Sequence, residues 1–255
     1  MNKRIDAMGF EWDKLAKRKP DLCMSLRGKY EDVLAEYDRV KNLILFNGEG
    51  TLLDVCCGDG MITNMLTSDF KSVVGVDISK ELLSRARASI KAEKYNNVSY
   101  VNSEAAILPI ADDAFDFTIC LSAFHYFPGY DYAELTIKEL VRITRPSGTI
   151  LITEVPSKDA FWYFVWRLIR NNDPDKEAVD FFEFEKMPFL KRLYARGSLI
   201  LRRYTGEKVD SDDWLWYEKH FFQAFGKDKF KKITVNPSLK KGFWGYRFDV
   251  MFSNI

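Results

Sequence analysis

Between residues 50 and 155, short apolar runs alternate with amphipathic stretches, and this alternation constrains the fold more than any other feature. Runs that are apolar throughout predict strands buried on both faces, as in a parallel sheet covered by helices. The two amphipathic stretches, 80–94 and 131–144, space their apolar residues as helices do and predict crossover connections. We therefore expect a doubly wound, mostly parallel α/β sheet. Its five predicted core strands are TLLDVCC (51–57), SVVGVD (72–77), NVSYVN (97–102), FDFTICLS (115–122) and GTILITEV (148–155).

The flanks of this core also carry patterns. Residues 28–46 predict a helix that packs on the sheet or over a ligand, with one apolar stripe formed by Tyr30, Val33, Leu34, Tyr37, Val40 and Ile44. Residues 231–236 and 245–253 alternate as an antiparallel hairpin does, which brings the sheet to seven strands. We divide the chain into an N-terminal helical segment (1–49), the α/β core (50–155), a helical insertion (156–226) and the C-terminal hairpin (227–255).

The insertion 156–226 is rich in aromatic residues, well above the chain average of 15%. Three interpretations stay open. The segment is a lid over an apolar pocket, a dimer or membrane-interface surface, or a helical subdomain that buries its own core. A homodimer is therefore one candidate assembly.

Composition excludes several classes of function. With 38 Lys and Arg against 37 Asp and Glu, the formal charge is +1, which argues against a nucleic-acid partner. No run reaches the roughly 18 to 20 apolar residues of a transmembrane helix, and the N-terminus lacks the apolar centre of a secretory signal. We expect a cytoplasmic protein. Its four cysteines (23, 56, 57 and 120) and two histidines fit reduced thiols and no metal site.

The turn after the first core strand, Asp54 to Gly60, is the strongest functional signal. Its small residues let the main chain approach a ligand closely. A dinucleotide fingerprint would need glycines at 56, 58 and 61, but the chain has Cys56 and Met61, which disfavours a bound pyrophosphate. Asp77 ends the next strand, where a carboxylate accepts hydrogen bonds from two ribose hydroxyls. Two acids at neighbouring strand ends suit a nucleoside with a cationic tail.

In these motifs the sequence resembles the class I S-adenosylmethionine-dependent methyltransferases. The likeness covers residues 50–155 and includes Asp54-x-Cys56-x-Gly58-x-Gly60, the acid Asp77, the stretch 104–116 and the helix-turn-strand stretch 140–151, with Cys56 and Glu104 departing from the family's usual Gly and Asp. The resemblance implies S-adenosylmethionine as cofactor. It assigns the turn to the methionine part, Asp77 to the ribose and Ile78 to the adenine face. It also assigns Glu104, the Ala105 amide and Leu121 to the adenosyl end of the site.

The resemblance implies methyl transfer to a small hydrophobic or aromatic molecule, in which the protein mainly aligns donor and acceptor. His125 and Tyr126, which follow the fourth strand, are the candidate catalytic residues, because a histidine readily takes a proton near neutral pH. Packing is the alternative role for His125. Glu154, Tyr30 and Tyr37 are further candidates for the pocket wall. A non-catalytic nucleoside-binding protein and a nicotinamide-dependent oxidoreductase are the rival functions.

Overall fold

A computed structural model describes residues 2–18, 30–44, 48–90, 96–158, 215–237 and 247–254. Seven strands of this part of the chain form one sheet in the order β3-β2-β1-β4-β5-β7-β6. The pairs among β1 to β5 are parallel, and β7 is antiparallel to both β5 and β6. The strands are β1 (Thr51–Val55), β2 (Ser72–Asp77), β3 (Val98–Asn102), β4 (Phe115–Leu121), β5 (Thr144–Pro156), β6 (Lys232–Pro237) and β7 (Arg247–Ser253). The predicted doubly wound, mostly parallel sheet with a terminal hairpin is confirmed.

Helices cover the sheet on both faces. They are α1 (Asn2–Arg18), α2 (Tyr30–Leu43), α3 (Met61–Leu66), α4 (Lys80–Ala88), a 3₁₀ turn (Phe124–Tyr126), α5 (Tyr130–Ile143) and α6 (Lys219–Gln223). Side chains of α2 and α3 bury against one face with Leu52 and Leu151. Those of α5 and α6 bury against the other with Leu53 and Ile152. The alternation along each strand thus supplies two cores.

Strand order reverses between β1 and β4, so the chain leaves these neighbouring strands in opposite directions. In open α/β sheets the crevice at the carboxyl ends of such strands is the usual ligand site. The turn after β1, the end of β2 and the end of β4 all lie at this crevice, because their strands are parallel and in register. The fold therefore brings Asp54, Asp77 and Leu121 to one region.

The predicted helix boundaries and stripe need two corrections. Helix α4 ends at Ala88, short of the predicted 94, and residues 91–95 lie outside the described part. Leu34 is 36% exposed, so its assignment to the buried stripe of α2 was wrong. The same helix instead buries Glu36 (0% exposed) and Arg39 (9% exposed), which pair with each other. The helix packs on the sheet rather than over the ligand crevice.

Strand β5 begins at Thr144, immediately after α5, and not at Gly148 as the Arg-Pro-Ser-Gly break predicted. Its pairing with β4 jumps from Phe115–Thr144 to Phe117–Thr149, so the break is absorbed as an irregularity within the strand. On β7 the predicted alternation holds, with Phe248, Val250 and Phe252 buried. Arg247 and Asp249, whose side chains lie on the opposite face of β7, are buried as well.

Most of the predicted aromatic insertion, residues 159–214, lies outside the described residues, as do its helices predicted around 158–170 and 176–195. Its final part is described and packs into the main core through Leu215, Tyr217 and Phe222. The four-segment division of the chain stays a prediction. Among the described helices, none combines the length and apolar character needed to cross a membrane.

Candidate functional site

The turn after β1 is built from alternating left-handed residues. Cys56, Gly58 and Gly60 have φ angles of 62°, 59° and 71°. Glycine adopts such angles freely, which explains the small-residue motif, whereas Cys56 adopts one as a non-glycine residue. The Gly58 N–H donates to Asp77 Oδ2 at 2.9 Å. The turn thereby ties the end of β1 to the end of β2.

Asp77 is held as a rigid acceptor. It is 8% exposed, and its Oδ1 accepts the Ser79 N–H at 2.9 Å in addition to the bond from Gly58. Burial raises its pKa from 3.8 to about 6, against the lowering effect of these backbone hydrogen bonds. Each carboxylate oxygen keeps a further lone pair for a ligand hydroxyl.

Asp54 supplies a second buried carboxylate beside the turn. It is 3% exposed and accepts the Thr63 hydroxyl at 2.6 Å. Burial raises its pKa to about 7, the Thr63 bond opposes this, and the charge of Asp77 adds to the increase. Two buried acids with raised pKa values, in a described cavity wall that contains no basic side chain, form a site that a positively charged ligand stabilises.

One cavity joins these groups. Its described lining contains Asp54, Asp59 and Asp77 but no lysine, arginine or histidine. The remaining lining is mostly apolar or aromatic and comes from α1, the ends of β1, β2 and β4, and the stretch 121–132. A mostly apolar cavity whose wall also contains acids fits a nucleoside that carries a cationic sulfur and an ammonium group. The residues present therefore fit S-adenosylmethionine.

Helix α1 closes the cavity from above, which the sequence did not reveal. Met8 and Trp12 line the cavity, and Gly9 lies close enough to Ile78 that an added Cβ would come within 3.3 Å of it. Asp13 fastens the helix to the start of α4, where it accepts from the Ser79 hydroxyl at 2.5 Å and the Glu81 N–H at 3.0 Å. The amphipathic pattern of α1 could have suggested a packed helix but not its position.

Most of the cofactor residues implied by the resemblance lie in the cavity wall. These are Asp54, Cys56, Gly58, Asp77, Ile78, Ala105 and Leu121. Gly60 lies outside the lining, and a Cβ there would come within 2.4 Å of the Tyr100 hydroxyl, so packing requires this glycine. Glu104 also lies outside the lining. The individual roles of all nine residues stay predictions.

The Ala105 amide, which the resemblance assigns to the adenine, has a partner within the protein. Its N–H donates to the Tyr132 hydroxyl at 3.2 Å. Tyr132 is itself part of the cavity wall, and burial raises its pKa, so it remains a neutral phenol. A ligand that accepts a hydrogen bond from this amide would have to share its N–H with the Tyr132 hydroxyl or displace that hydroxyl.

The two candidate catalytic residues are placed differently. Tyr126 lines the cavity, whereas His125 is 1% exposed and lies behind the wall. Their rings are adjacent, with centroids 4.0 Å apart, and Tyr126 meets Trp12 edge to face at 5.1 Å. The main chain of His125 is anchored as well, because its carbonyl accepts the Leu215 N–H at 2.9 Å. The catalytic roles of both residues stay predictions.

Sequence reasoning missed several residues of the wall. Trp12, Ser122, Phe127 and Tyr132 all contribute to it. Ser122 follows the implied cofactor residue Leu121 directly, so its place at the end of β4 was available as a signal. Trp12 lies far from the motifs in sequence, and only the packing of α1 brings it to the site.

Comparison with known proteins agrees with this geometry. The family described as "Methyltransferase domain" matches residues 53–152, which include all of β2, β3 and β4 and most of β1 and β5. The chain is 27% identical over 192 residues to the demethylmenaquinone methyltransferase of Shouchella clausii, covering 74% of this chain and 69% of that protein. It is 26% identical over 192 residues to the enzyme of the same name from Bacillus velezensis, covering 68% and 76%.

Residues 53–152 form a class I S-adenosylmethionine-dependent methyltransferase domain. A solved structure with the same fold is the PH0226 protein from Pyrococcus horikoshii, with a TM-score of 0.60, 18% identity and coverage of 92% and 95% of the two chains. This methyltransferase is an enzyme, and S-adenosylmethionine is its cofactor. The predicted recognition, cofactor and activity are confirmed.

When bound, S-adenosylmethionine supplies a methyl group on a positively charged sulfur that is already reactive towards nucleophiles. The protein's own contribution is binding and alignment. Asp54 and Asp77 place carboxylates in the cavity wall, the Gly58 N–H helps to fix the position of Asp77, and α1 adds Met8 and Trp12 to the wall.

Proposed function

We propose that this methyltransferase modifies a small aromatic molecule that carries a ring hydroxyl, of the reduced naphthoquinone type. The relatives named above are demethylmenaquinone methyltransferases, and they support a bicyclic, apolar acceptor for this chain. The net charge of +1 supports a small molecule over a nucleic acid. The homodimer and the cytoplasmic location stay predictions. Sedimentation velocity would test whether the protein forms a dimer.

One observation carries the proposal, namely the group of aromatic side chains in the cavity wall. Trp12, Tyr126 and Phe127 all line the cavity, together with Leu121 and Ser122. Aromatic pairs favour edge-to-face and offset arrangements, and the Trp12–Tyr126 pair already uses one. A flat ring system fits between such side chains with its apolar surface removed from water.

The polar side chains in and behind this wall can accept the proton that the reaction releases. Methylation of a hydroxylated ring at oxygen or carbon releases one proton from the acceptor. We assign the first contact with that proton to the wall that contains Tyr126 and Ser122, with His125 behind Tyr126 as the predicted base.

The test is methyl transfer from labelled S-adenosylmethionine under anaerobic, reducing conditions. We expect label to enter the organic phase with reduced demethylmenaquinone or 1,4-dihydroxynaphthalene, and not with phosphoethanolamine. Trp12→Ala should lower kcat/KM for the aromatic acceptor at least tenfold, because it removes one of the aromatic side chains of the cavity wall. Phe10→Ala is the matched control, since Phe10 lies on the same helix but is 65% exposed. Transfer to the amine alone would refute the proposed acceptor class.

A further inference from the structure

Strand β5 contains a bulge directly beside the cavity. Its pairing with β7 runs Ile152–Val250 and then Val155–Phe248, so β5 has one extra residue between these pairs. Within the bulge, Glu154 has a φ of 58°, the left-handed region that residues other than glycine rarely adopt. Bulges re-aim side chains next to active sites, and such backbone angles persist where the surroundings enforce them.

Two side chains of β7 hold this bulge. The Glu154 N–H donates to Asp249 Oδ1 at 2.9 Å, and Arg247 Nη1 donates to the Glu154 carbonyl at 3.2 Å. Both side chains are buried, at 5% and 4% exposed respectively. The backbone at Glu154 is therefore fixed from the neighbouring strand, and with it the direction of the carboxylate.

The Glu154 carboxylate points at the cavity wall. Ser122, which lines the cavity, donates its hydroxyl hydrogen to Glu154 Oε2 at 2.7 Å. Ser122 also has a left-handed φ of 53°, and its N–H donates to the Thr153 carbonyl at 3.2 Å. Two adjacent strand ends thus use strained residues whose side chains bond to each other.

The charge of this carboxylate is balanced. Glu154 is 0% exposed, and Arg247 Nη1 lies 3.4 Å from its Oε2 while Arg39 Nη2 lies 3.8 Å from its Oε1. Arg39 also pairs with Glu36 and Asp249. Burial works to lower the pKa of Arg39, but the Glu36 hydrogen bond and the surrounding carboxylates raise it overall. Both arginines favour the ionised form of Glu154.

We propose that Glu154 is a positioning residue that turns the Ser122 hydroxyl into a hydrogen-bond acceptor for the methyl acceptor. A hydroxyl whose hydrogen is directed to a carboxylate offers only lone pairs to a further partner. Ser122 follows Leu121 at the end of β4 and lines the cavity, so its oxygen is available to an acceptor bound there. The site then selects an acceptor with an O–H or N–H group over one without.

The experiment compares binding of 1,4-dihydroxynaphthalene with that of 1,4-dimethoxynaphthalene, which lacks the O–H donors. Both are titrated anaerobically in the presence of S-adenosylhomocysteine, with tryptophan fluorescence as the readout. The choice of probe rests on the acceptor class proposed above. We expect the wild-type protein to prefer the diol at least tenfold, a difference of about 1.4 kcal/mol.

Ser122→Gly separates the hydroxyl from the backbone, because glycine adopts the left-handed angle without strain. We expect this variant to keep its affinity for S-adenosylhomocysteine within threefold and to lose the preference for the diol. Glu154→Gln should also lose it, because its amide can donate to Ser122 and reverse the direction of the hydroxyl. Glu36→Gln is the matched control with the preference retained, since Glu36 is equally buried and shares Arg39.

If Glu154→Gln fails to fold in thermal melts, Ser122→Gly decides alone. A Ser122→Gly protein with the wild-type preference would overturn the assignment of Glu154 while leaving the acceptor class intact. If neither naphthalene bound the wild-type protein, the acceptor class and the role of Glu154 would both be wrong. These two failures differ in whether the wild-type protein binds the diol.

Discussion

Two clusters of buried carboxylates lie at the same end of the sheet, and they differ in their counter-charges. At the ends of β1 and β2, Asp54 and Asp77 line the cavity, whose described wall contains no basic side chain, and burial raises both pKa values. At β5 and β7, Glu154 and Asp249 are buried with Arg39 and Arg247.

The difference indicates what each cluster is for. A buried carboxylate without a cation costs free energy until a positively charged ligand arrives, which supports the predicted role of the first cluster in binding the cofactor. In the second cluster two arginines already neutralise most of the charge, so it serves to hold backbone and side chains in position. Burial and residue type are the same in both clusters, and only the partners separate them.

The largest expected effect comes from removing the central cation of the balanced cluster. Arg39→Met should lower the free energy of unfolding by about 3 to 5 kcal/mol, because Glu36 and Asp249 lose their shared buried partner. Urea denaturation measures this. Arg145→Met is the control, since its pair with Asp116 is 40% and 30% exposed and should contribute no more than about 1 kcal/mol. Equal losses in the two variants would contradict the assignment.

The next effect concerns the unbalanced cluster. Asp77→Asn should weaken binding of S-adenosylhomocysteine about 100-fold. The asparagine amide has a single oxygen, whereas both oxygens of Asp77 accept backbone hydrogen bonds, from Gly58 and Ser79, and are predicted to accept from the ribose. Isothermal titration calorimetry measures the affinity. Asp69→Asn provides the control, because Asp69 pairs with Lys41 outside the cavity wall. Undiminished affinity in the folded Asp77→Asn protein would remove Asp77 from the cofactor site.

The pH dependence of binding gives a smaller but more specific effect. Asp54 and Asp77, with pKa values of about 7 and about 6, lose their protons between pH 5 and 8. Their charge attracts the sulfonium, so affinity for S-adenosylmethionine should rise through this window. The uncharged sulfur of S-adenosylhomocysteine gains less, and we expect the ratio of the two affinities to change about tenfold. A constant ratio from pH 5 to 8 would mean that these acids do not sense the sulfonium.

The same acids make a prediction about stability without ligand. Their pKa values in the folded protein lie above the ordinary 3.8, so the folded state holds more protons than the unfolded state between about pH 4 and 7. Their contribution to the free energy of unfolding therefore falls as pH rises through this window. Asp54→Asn should flatten this fall in pH-dependent urea melts. An unchanged slope would contradict the raised pKa of Asp54.

The smallest effect tests the backbone of the turn. Cys56→Gly should leave cofactor affinity within about threefold and change stability by no more than about 1 kcal/mol, because relief of the left-handed φ offsets the lost side chain. Cys56→Val should be clearly worse on both measures, since a β-branched residue is least tolerated there. A valine variant that behaved like the glycine variant would show that the turn does not need this conformation.

Much of the fold followed from local patterns. The strands from 51 to 155 and the hairpin alternation of Phe248, Val250 and Phe252 are confirmed, because burial on a sheet imposes a short period that shows in the sequence. The stripe on α2 was only partly right, with Leu34 exposed and Glu36 buried. A charged residue inside a helix predicts a solvent-facing position unless its partner, here on β7, is known.

The site divides in the same way. The motif around Gly58 and the acid Asp77 predicted residues that do line the cavity, since close backbone approach and strand-end position depend on neighbouring residues. Trp12 was missed because its place in the cavity wall depends on the packing of a distant helix, whereas Ser122 had a local signal in its position at the end of β4. Glu154 was noted only as a possible pocket group, and its bond to Ser122 requires the bulge against β7.

By itself, the sequence determined that this chain forms a mostly parallel sheet with a turn of small residues after its first strand, because periodicity and small residues act over a few positions. Only the tertiary structure decided which buried acids have cations beside them. Asp54 and Asp77 look no different in sequence from Glu154 and Asp249, and the free energy of a buried charge depends on partners that the fold brings from elsewhere.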